Sequence, residues 1–249
     1  FRQTVESMPA RHGHLKVLYV DKPNLESTYP NPNHTLTPDD PLCIFYTSGS
    51  TGKPKGVLAG HLYRIQNLHY MTNLWYMSPS DRVSLVTSVC FAAAFPGALG
   101  ALLNGGTLCL FDLKAHSAQT TLDWIRDANL TVFRCTPSIF RTVFGHAPAG
   151  LVFEKLRFLT LGGEPITAND AALFKAHTAK DCVLIDNFSS TEAGSICHNF
   201  VSHRTPPFVG FLPGGYPAPG KEVLLLDEAG KEVPAGQEGE IVVRSRYLS

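Results

Sequence analysis

The 249-residue sequence predicts an α/β fold: a doubly wound, mainly parallel sheet with flanking helices, followed by part of a small antiparallel β-barrel. Three observations carry this prediction. Short runs rich in Val, Leu and Phe recur up to about residue 185, with stretches of helical periodicity between them, and strands that alternate with helices pair in parallel. Past Val201 the texture changes, as Pro206, Pro207, Pro213, Pro217 and Pro219 alternate with Gly210, Gly214, Gly215 and Gly220 to mark turns. Beyond those turns two further runs read as strands of an antiparallel unit. The boundary falls at Ser202, giving an α/β part over 1–201 and a β-rich part over 202–249.

In chain order, strands are expected at Leu15 to Val20, Leu42 to Tyr46, Val83 to Thr87, Thr107 to Phe111, Thr131 to Cys135, Leu156 to Leu161 and Val183 to Ile185. Residues 23–41, dense in Pro and Asn, read as an irregular connector. The segment His61 to Tyr76 places Leu68, Met71 and Trp75 at helical spacing. Thr120 to Ala128 repeats Leu122 and Ile125 behind polar Ser117, and Ala168 to His177 follows Thr167 as an N-cap. In the tail, Glu222 to Leu226 and Glu240 to Arg244 read as strands, with Asp227-Glu228-Ala229-Gly230 a hairpin-type connection.

Composition excludes several classes of function. With 44 % apolar residues and a mean hydropathy near zero the chain reads as globular, and its longest apolar stretch, Val89 to Leu103, is interrupted by Pro96 and falls short of the ~20 residues of a spanning helix. No membrane span is expected. Lys plus Arg equals Asp plus Glu at 21 each, so there is no basic field for a nucleic-acid polymer. Six cysteines lie far apart without a Cys-x-x-Cys pair, as reduced core cysteines do, which points to the cytoplasm. Ten scattered histidines show no metal-ligand spacing. Charged residues make up only 17 %, below the ~25 % of an average soluble domain, so part of the surface is expected to be covered by something else.

The most informative stretch is Tyr46 to Gly56, YTSGSTGKPKG. Its glycines let backbone N–H groups converge on an anion, its hydroxyls donate hydrogen bonds, and Lys53 and Lys55 add positive charge. Thr47, Ser48, Gly49, Ser50, Thr51 and Gly52, with the two lysines, are therefore candidate phosphate ligands. The commonest nucleoside-triphosphate loop needs glycine, four residues, then Gly-Lys-Ser/Thr; here Thr47 takes the glycine position and Pro54 follows Lys53. A second kind of nucleotide chemistry is implied.

The stretch closely resembles the phosphate loop of the adenylate-forming superfamily, which includes acyl-CoA synthetases, luciferases and the adenylation domains of nonribosomal peptide synthetases. Other segments resemble that family in the same order. Leu161-Gly162-Gly163-Glu164-Pro165 is similar to its Gly-Gly-Glu segment, Phe188-Ser189-Ser190-Thr191-Glu192 to its Tyr-Gly-x-Thr-Glu segment, and Gly236-Gln237-Glu238-Gly239-Glu240-Ile241 to a hairpin of its small barrel. The resemblance covers nearly the whole chain.

It implies AMP-forming activation of a carboxylic acid with ATP and Mg2+, and then transfer to a thiol, either coenzyme A or the 4'-phosphopantetheine arm of an acyl or peptidyl carrier protein. By the same resemblance residues 1–201 are the nucleotide- and acyl-binding part; Gly162, Gly163, Glu164 and Phe188 meet adenine, Thr191 the α-phosphate region, and Glu192 the magnesium. Thr191, Glu192 and Lys53 are the implied catalytic residues. Phe91, Ala92, Gly163 and Ser189 are the implied acyl pocket, with Phe91 to Ala101 alternatively a packed, Ala-rich helix start. In amino-acid-activating relatives the segment Cys90 to Phe95 reads Phe-Asp-Ala-Ser; Ala92 stands in the aspartate's place, which points from α-amino acids towards uncharged acyl or aryl acids. Ser189 replaces a glycine.

The family's Thr-Gly-Asp segment and its small C-terminal domain with a catalytic lysine belong beyond Ser249, so these residues by themselves are expected to bind ATP but to adenylate slowly or not at all. A non-catalytic nucleotide- or acyl-binding module is the alternative, and a phosphotransferase or NTPase a more remote one.

Overall fold

In the computed structural model, which describes residues 33–48 and 52–249, Phe1–Leu36 is one unit and Thr37–Ser249 another. Of the first, only residues 33–36 are described, and they carry no regular element. The strand expected at Leu15 to Val20 lies outside the described residues.

The second unit opens with a hairpin, not with a strand of the main sheet. Strand β1 (Pro41–Thr47) pairs antiparallel with β2 (Lys55–Gly60), from Pro41 opposite Gly60 to Thr47 opposite Lys55. The sequence had suggested that the Leu42 run joins the parallel sheet. A parallel partner needs a crossover of a dozen or more residues and cover on both faces, whereas β1 leaves Leu42, Ile44 and Tyr46 exposed and its partner follows directly. Helix α1 (His61–Leu74) leaves β2 without a side-chain cap; the turn before β1 takes its place, with His61 N–H donating to the Asp40 carbonyl at 3.0 Å and Leu62 N–H to that of Pro38 at 2.8 Å.

The main sheet then builds as β3 (Arg82–Leu85), α2 (Ala94–Leu103), β4 (Thr107–Leu110), a short 3₁₀ turn (Leu113–Ala115), α3 (Ala118–Asp127), β5 (Val132–Cys135), α4 (Pro137–Phe144), β6 (Phe158–Gly162), α5 (Ala168–His177), β7 (Val183–Ser190), β8 (Gly194–Val201) and β9 (Tyr216–Pro217). Its spatial order is β4-β3-β5-β6-β7-β8-β9, parallel as far as β7 and antiparallel for the last two pairings. The helix expected over Ala168 to His177 forms with those ends, and the other two form with ends shifted by at most two residues. Ser117 caps α3, its Oγ accepting from Thr120 N–H at 3.1 Å, and Thr167 with Asp170 makes a reciprocal capping box at α5.

Strand alternation sorts the side chains onto two faces. Val83, Val132 and Ile185 pack with Met71 and Trp75 of the α1 region and Ala101 of α2. Phe133, Leu159, Leu161 and Leu184 point the other way into a larger core with Leu122, Ile125, Phe140, Phe144 and Phe174 from α3, α4 and α5. Away from the site, at the opposite ends of the strands, Asp81 is almost wholly buried and accepts from Thr131 Oγ1 at 2.6 Å and Arg157 Nη2 at 2.7 Å, tying the starts of β3, β5 and β6 together. Burial pushes its carboxyl up, but the hydrogen bonds from Thr131, Arg157 and Ser78 outweigh this and hold it below the usual carboxylate range.

Strands β10 (Glu222–Leu226) and β11 (Glu240–Arg244) occupy the runs expected of them and pair with each other antiparallel. Gly239, which introduces β11, lies so close to β10 that a Cβ there would come within 2.9 Å of the Leu226 carbonyl oxygen. The main sheet itself runs past Ser202, because β9 pairs with β8 through Cys197–Pro217 and His198–Tyr216. All six cysteines are free thiols, and among the described residues no helix is long and apolar enough to cross a membrane.

Candidate functional site

The adjacent carboxyl ends of β6 and β7 carry two of the segments singled out in the sequence. Gly162 pairs with Asn187, and a Cβ on Gly162 would lie 2.7 Å from the Asn187 carbonyl oxygen, so only glycine lets these two backbones close up. Gly163, at φ +87°, then turns the chain with nothing within 4 Å on its open side. Phe188 is the next residue out on β7 and is exposed, with its ring free of any stacking partner among the described residues.

Glu164 turns away from this opening to α4. Its Oε2 accepts from Ser138 N–H at 3.0 Å and from the Ser138 hydroxyl, at the first turn of α4 behind the Thr136 cap and Pro137. Arg141, one turn further along α4, donates to the Pro165 carbonyl at 3.0 Å and grips Asp170 through Nε at 2.7 Å and Nη2 at 2.8 Å. The loop 163–167 is thus fixed to α4 and α5. Within this unit the carboxylate of Glu164, expected to face adenine, is engaged in holding the loop.

The turn between β7 and β8 rests on α1. Tyr63 Oη donates to the Thr191 carbonyl at 2.7 Å, Asn67 Oδ1 accepts from Ser195 N–H at 3.0 Å, and Ala193 N–H donates to Ser190 Oγ at 3.0 Å. Gly194 has φ +67°, and a Cβ there would lie 2.9 Å from Asn67 Oδ1 and 3.2 Å from the Tyr63 ring, so conformation and space both call for glycine. Glu192 exposes its carboxylate, which has no hydrogen-bond or ion-pair partner among the described residues; only its backbone carbonyl is used, accepting from Ser249. Burial pushes the Tyr63 phenol up to about 12, with Arg64 opposing and the negative charge of Glu192 adding to it. Ser189, in the place of a glycine, lies in β7 without positive φ, so the substitution adds a Cβ and hydroxyl but no backbone strain.

The same helix supports the phosphate-loop hairpin: the Arg64 guanidinium sits 4.7 Å from the Phe45 ring centroid of β1. At the hairpin tip Thr47 is half-buried, and Ser48, Gly52, Lys53 and Lys55 are exposed; Gly49, Ser50 and Thr51 lie outside the described residues. Lys53 and Lys55 make no ion pair with a described residue.

The residues expected to line an acyl pocket lie at the entry to α2. Phe91 is 62 % exposed in a bend and Ala92 half-buried, and α2 itself begins at Ala94. Arg134 on β5 donates from Nη1 to the Ala93 carbonyl at 3.1 Å, fastening the α2 entry to the sheet. It and several other residues of this region gave no signal in the sequence. Asn187 is nearly buried with its Oδ1 unpartnered, and His198, opposite it on β8, is buried with Nε2 unpartnered and Nδ1 2.9 Å from Tyr70 Oη. Burial pushes the His198 imidazole down to about 4, so it is neutral near pH 7.

A divalent ion of the Mg2+ type keeps several waters and needs only one or two protein carboxylates when it also binds phosphates. The free carboxylate of Glu192 fits that requirement. Among the described residues no cluster of three or more His, Cys, Asp or Glu side chains is assembled for a metal held by protein alone.

A mainly parallel sheet with helices on both faces, a Gly-Gly turn and a Thr-Glu turn at two adjacent strand ends and a hydroxyl- and lysine-rich hairpin define an α/β protein of the adenylation-domain class of folds. Solved structures agree: an N-terminal subdomain of Klebsiella oxytoca NpsA in complex with 3-hydroxybenzoyl-AMSN (TM-score 0.74, 21 % identity, 90 % of this chain and 57 % of that one) and the Vibrio cholerae adenylation domain AlmE in complex with glycyl-adenosine-5'-phosphate (TM-score 0.75, 19 % identity, 85 % and 40 %). The sequence model of the AMP-binding enzyme family matches residues 4–249, and the chain belongs to that family. Similar curated proteins include surfactin synthase subunit 2 of Bacillus subtilis (strain 168), 29 % identical over 83 % of this chain and 6 % of that protein, and the fatty acid–[acyl-carrier-protein] ligase ScoC of Streptomyces coeruleorubidus, 29 % identical over 97 % and 48 %. The chain spans less than half the length of either.

Proposed function

We propose that this chain is the nucleotide- and acyl-binding core of an AMP-forming acid–thiol ligase, which joins a carboxylic acid to AMP and then delivers the acyl group to a thiol. One observation carries the reading: the Thr191–Glu192 turn is held by Tyr63 and Asn67 of α1 with the Glu192 carboxylate free, beside the open strand ends at Gly163 and Phe188. Membership of the AMP-binding enzyme family supports it.

In the proposed reaction a carboxylate oxygen attacks the α-phosphorus of ATP, a P–O bond forms, the bond to the β-phosphate bridge breaks, and pyrophosphate leaves with both electrons of that bond. The protein's part is alignment and charge neutralisation. Thr47 to Gly52 with Lys53 and Lys55 would hold the outer phosphates, the Thr191 hydroxyl would donate to an α-phosphate oxygen, and Phe188 would stack on the base beside Gly162 and Gly163. Glu192 would hold Mg2+, which when bound neutralises phosphate charge. Glu164 supports the adenine side indirectly, through α4. The acid would lie towards Phe91, Ala92 and Ser189, and the acceptor would be coenzyme A or a carrier-borne phosphopantetheine.

Carboxylate-dependent ATP–pyrophosphate exchange by the protein at its full natural length tests this. Exchange with at least one acid, abolished in Glu192→Ala, is the expected result. MgATP binding without exchange for any acid would overturn it in favour of a non-catalytic nucleotide-binding module, and release of phosphate in place of pyrophosphate in favour of an NTPase.

A further inference from the structure

Some charged side chains held inside this unit are matched by opposite charge and others are not. Asp81 is paired with Arg157, and Asp170 with Arg141. Arg64 and Arg134 have no carboxylate partner among the described residues, and neither does Lys221; Asp186 on β7 likewise lacks a cation. Arg64 is shut in at 2 % exposure among the rings of Phe45, Tyr63 and Phe95, so no solute reaches it and it acts as a packing cation. Arg134 is different.

Arg134 leaves the face of β5 that looks towards α1 and α2, where it lies level with Thr160 on β6 and Ile185 on β7. Its guanidinium stacks 4.8 Å from the Trp75 ring and uses one donor on the Ala93 carbonyl. Nε is shielded from solvent and has no partner; Nη2 likewise donates to none of the described residues, and no described carboxylate lies within 4.0 Å. The residue is largely buried but, unlike Arg64, keeps some solvent exposure. Space for it is built in, since a Cβ on Gly97 of α2 would come within 2.5 Å of Nη1. Ala92 and Ala93 beside it offer no countercharge. One residue pair further along the same face, Asn187 holds its unpartnered Oδ1 next to Gly162.

A shielded donor without an acceptor is costly in a protein interior, and a fixed cation with a planar donor edge matches a carboxylate better than any neutral group. Resting on the adenylation reading above, we propose that Arg134 recognises a second negative group on the acid, so that the substrate class is a dicarboxylate. One carboxylate would react at phosphorus while the other pairs with Arg134. This departs from the uncharged acid that Ala92 alone suggests. Burial pushes the Arg134 guanidinium down to about 10, which leaves it cationic at neutral pH.

The test uses the full-length protein with succinate, glutarate and adipate beside butyrate, valerate and hexanoate, reading both calorimetric binding and ATP–pyrophosphate exchange. In the unaltered protein the preferred dicarboxylate is expected to exceed its equal-length monocarboxylate by about tenfold or more, and Arg134→Met to lower that ratio by about a hundredfold, with Arg134→Lys intermediate. Equal or better use of monocarboxylates, or an Arg134→Met loss shared equally by both series, would overturn the proposal. Should Arg134→Met fail to fold by near-UV circular dichroism, the preference of the unaltered protein decides, together with Gly97→Ala, which crowds Nη1. Selective dicarboxylate binding without exchange would sink the adenylation reading and uphold Arg134; exchange confined to monocarboxylates would do the reverse.

Discussion

Replacing Gly194 with alanine tests whether α1 holds the Thr191–Glu192 turn in place. Two costs follow from the geometry. An alanine at φ +67° gives up about 1–2 kcal/mol to left-handed backbone strain. Its Cβ, 2.9 Å from Asn67 Oδ1 and 3.0 Å from Cγ, forces that amide away from the buried Ser195 N–H, and a buried donor left unpaired costs about 1–3 kcal/mol. Together these amount to about 3 kcal/mol, which for a chain of this length lowers Tm by about 6–12 °C. Asn67→Ala alone removes the same acceptor and costs about 2 kcal/mol. The double variant keeps the backbone strain and the orphaned N–H but loses the collision, so it is expected near 3 kcal/mol, about 2 short of the sum. Denaturant melts of all four proteins measure this. Exchange by Gly194→Ala, assayed well below its Tm, should fall about tenfold or more because the displaced turn carries Thr191 and Glu192. Strict additivity, or a Gly194→Ala protein with unchanged Tm and exchange, would refute the account.

Further consequences of the same geometry can be measured directly. Glu192→Gln and Thr191→Ala should each lose about 3 kcal/mol of transition-state stabilisation in exchange assays while melting with the unaltered protein, since neither side chain has a structural partner among the described residues. Arg157→Met leaves the Asp81 carboxylate buried and short of a partner, and should cost about 3 kcal/mol in stability with the KM for ATP unmoved, because this cluster lies at the far ends of the strands. Glu164→Ala should cost about 1 kcal/mol in a denaturant melt through the lost support at the start of α4. His198, depressed from 6.5 to about 4, is neutral in the fold and protonated in the unfolded chain between those values, so its contribution is full above pH 6.5 and drains by up to about 3 kcal/mol as pH falls towards 4. Asp186, which burial pushes from 3.8 up to about 6, has the opposite slope in that window, because the fold then holds the proton more tightly than the unfolded chain. The difference between the stability curves of the unaltered protein and His198→Gln isolates the histidine; a flat difference between pH 4 and 6.5 would refute the assignment.

Elements legible in the sequence were those with local signals. Helix α5 begins where Thr167 and Asp170 form their capping box, and β10 and β11 occupy the runs read for them. Others were hidden because their cause is not local. Strand β2, Lys-Gly-Val-Leu-Ala-Gly, reads as more loop until β1 is laid against it. Strand β8, Gly-Ser-Ile-Cys-His-Asn-Phe-Val, is covered on both faces over its first half and so shows no alternation. Helix α4 is eight residues long, too short for periodicity, although Thr136-Pro137 supplies a start signal that could have found it. The candidate site divides in the same way. Motif order picks out Gly163, Phe188, Thr191 and Glu192, whereas the residues that support them look like lone polar side chains in apolar runs. Tyr63 and Thr191, for example, are 128 positions apart.

The alternation of β7 connects the two ligands of the proposed reaction. Ile185 belongs to the face covered by α1 and α2, so Asn187 points that way, level with Gly162 and one step beyond Arg134 and Thr160. Leu184 belongs to the opposite core, and Asp186 and Phe188 follow it. Consecutive residues of one strand therefore face opposite sides, Asn187 towards α1 and α2 and Phe188 away from them. Where the strand ends, the alternation ends with it, and the chain passes at once into Thr191 and Glu192. In the proposed reaction the phosphate contacts would lie where the two sides meet, at the turn held by Tyr63 and Asn67. A shift in β7 register by one residue would exchange the two faces, so under the proposed reaction the close Gly162–Asn187 approach, intolerant of any side chain on Gly162, would bear on specificity as well as on packing.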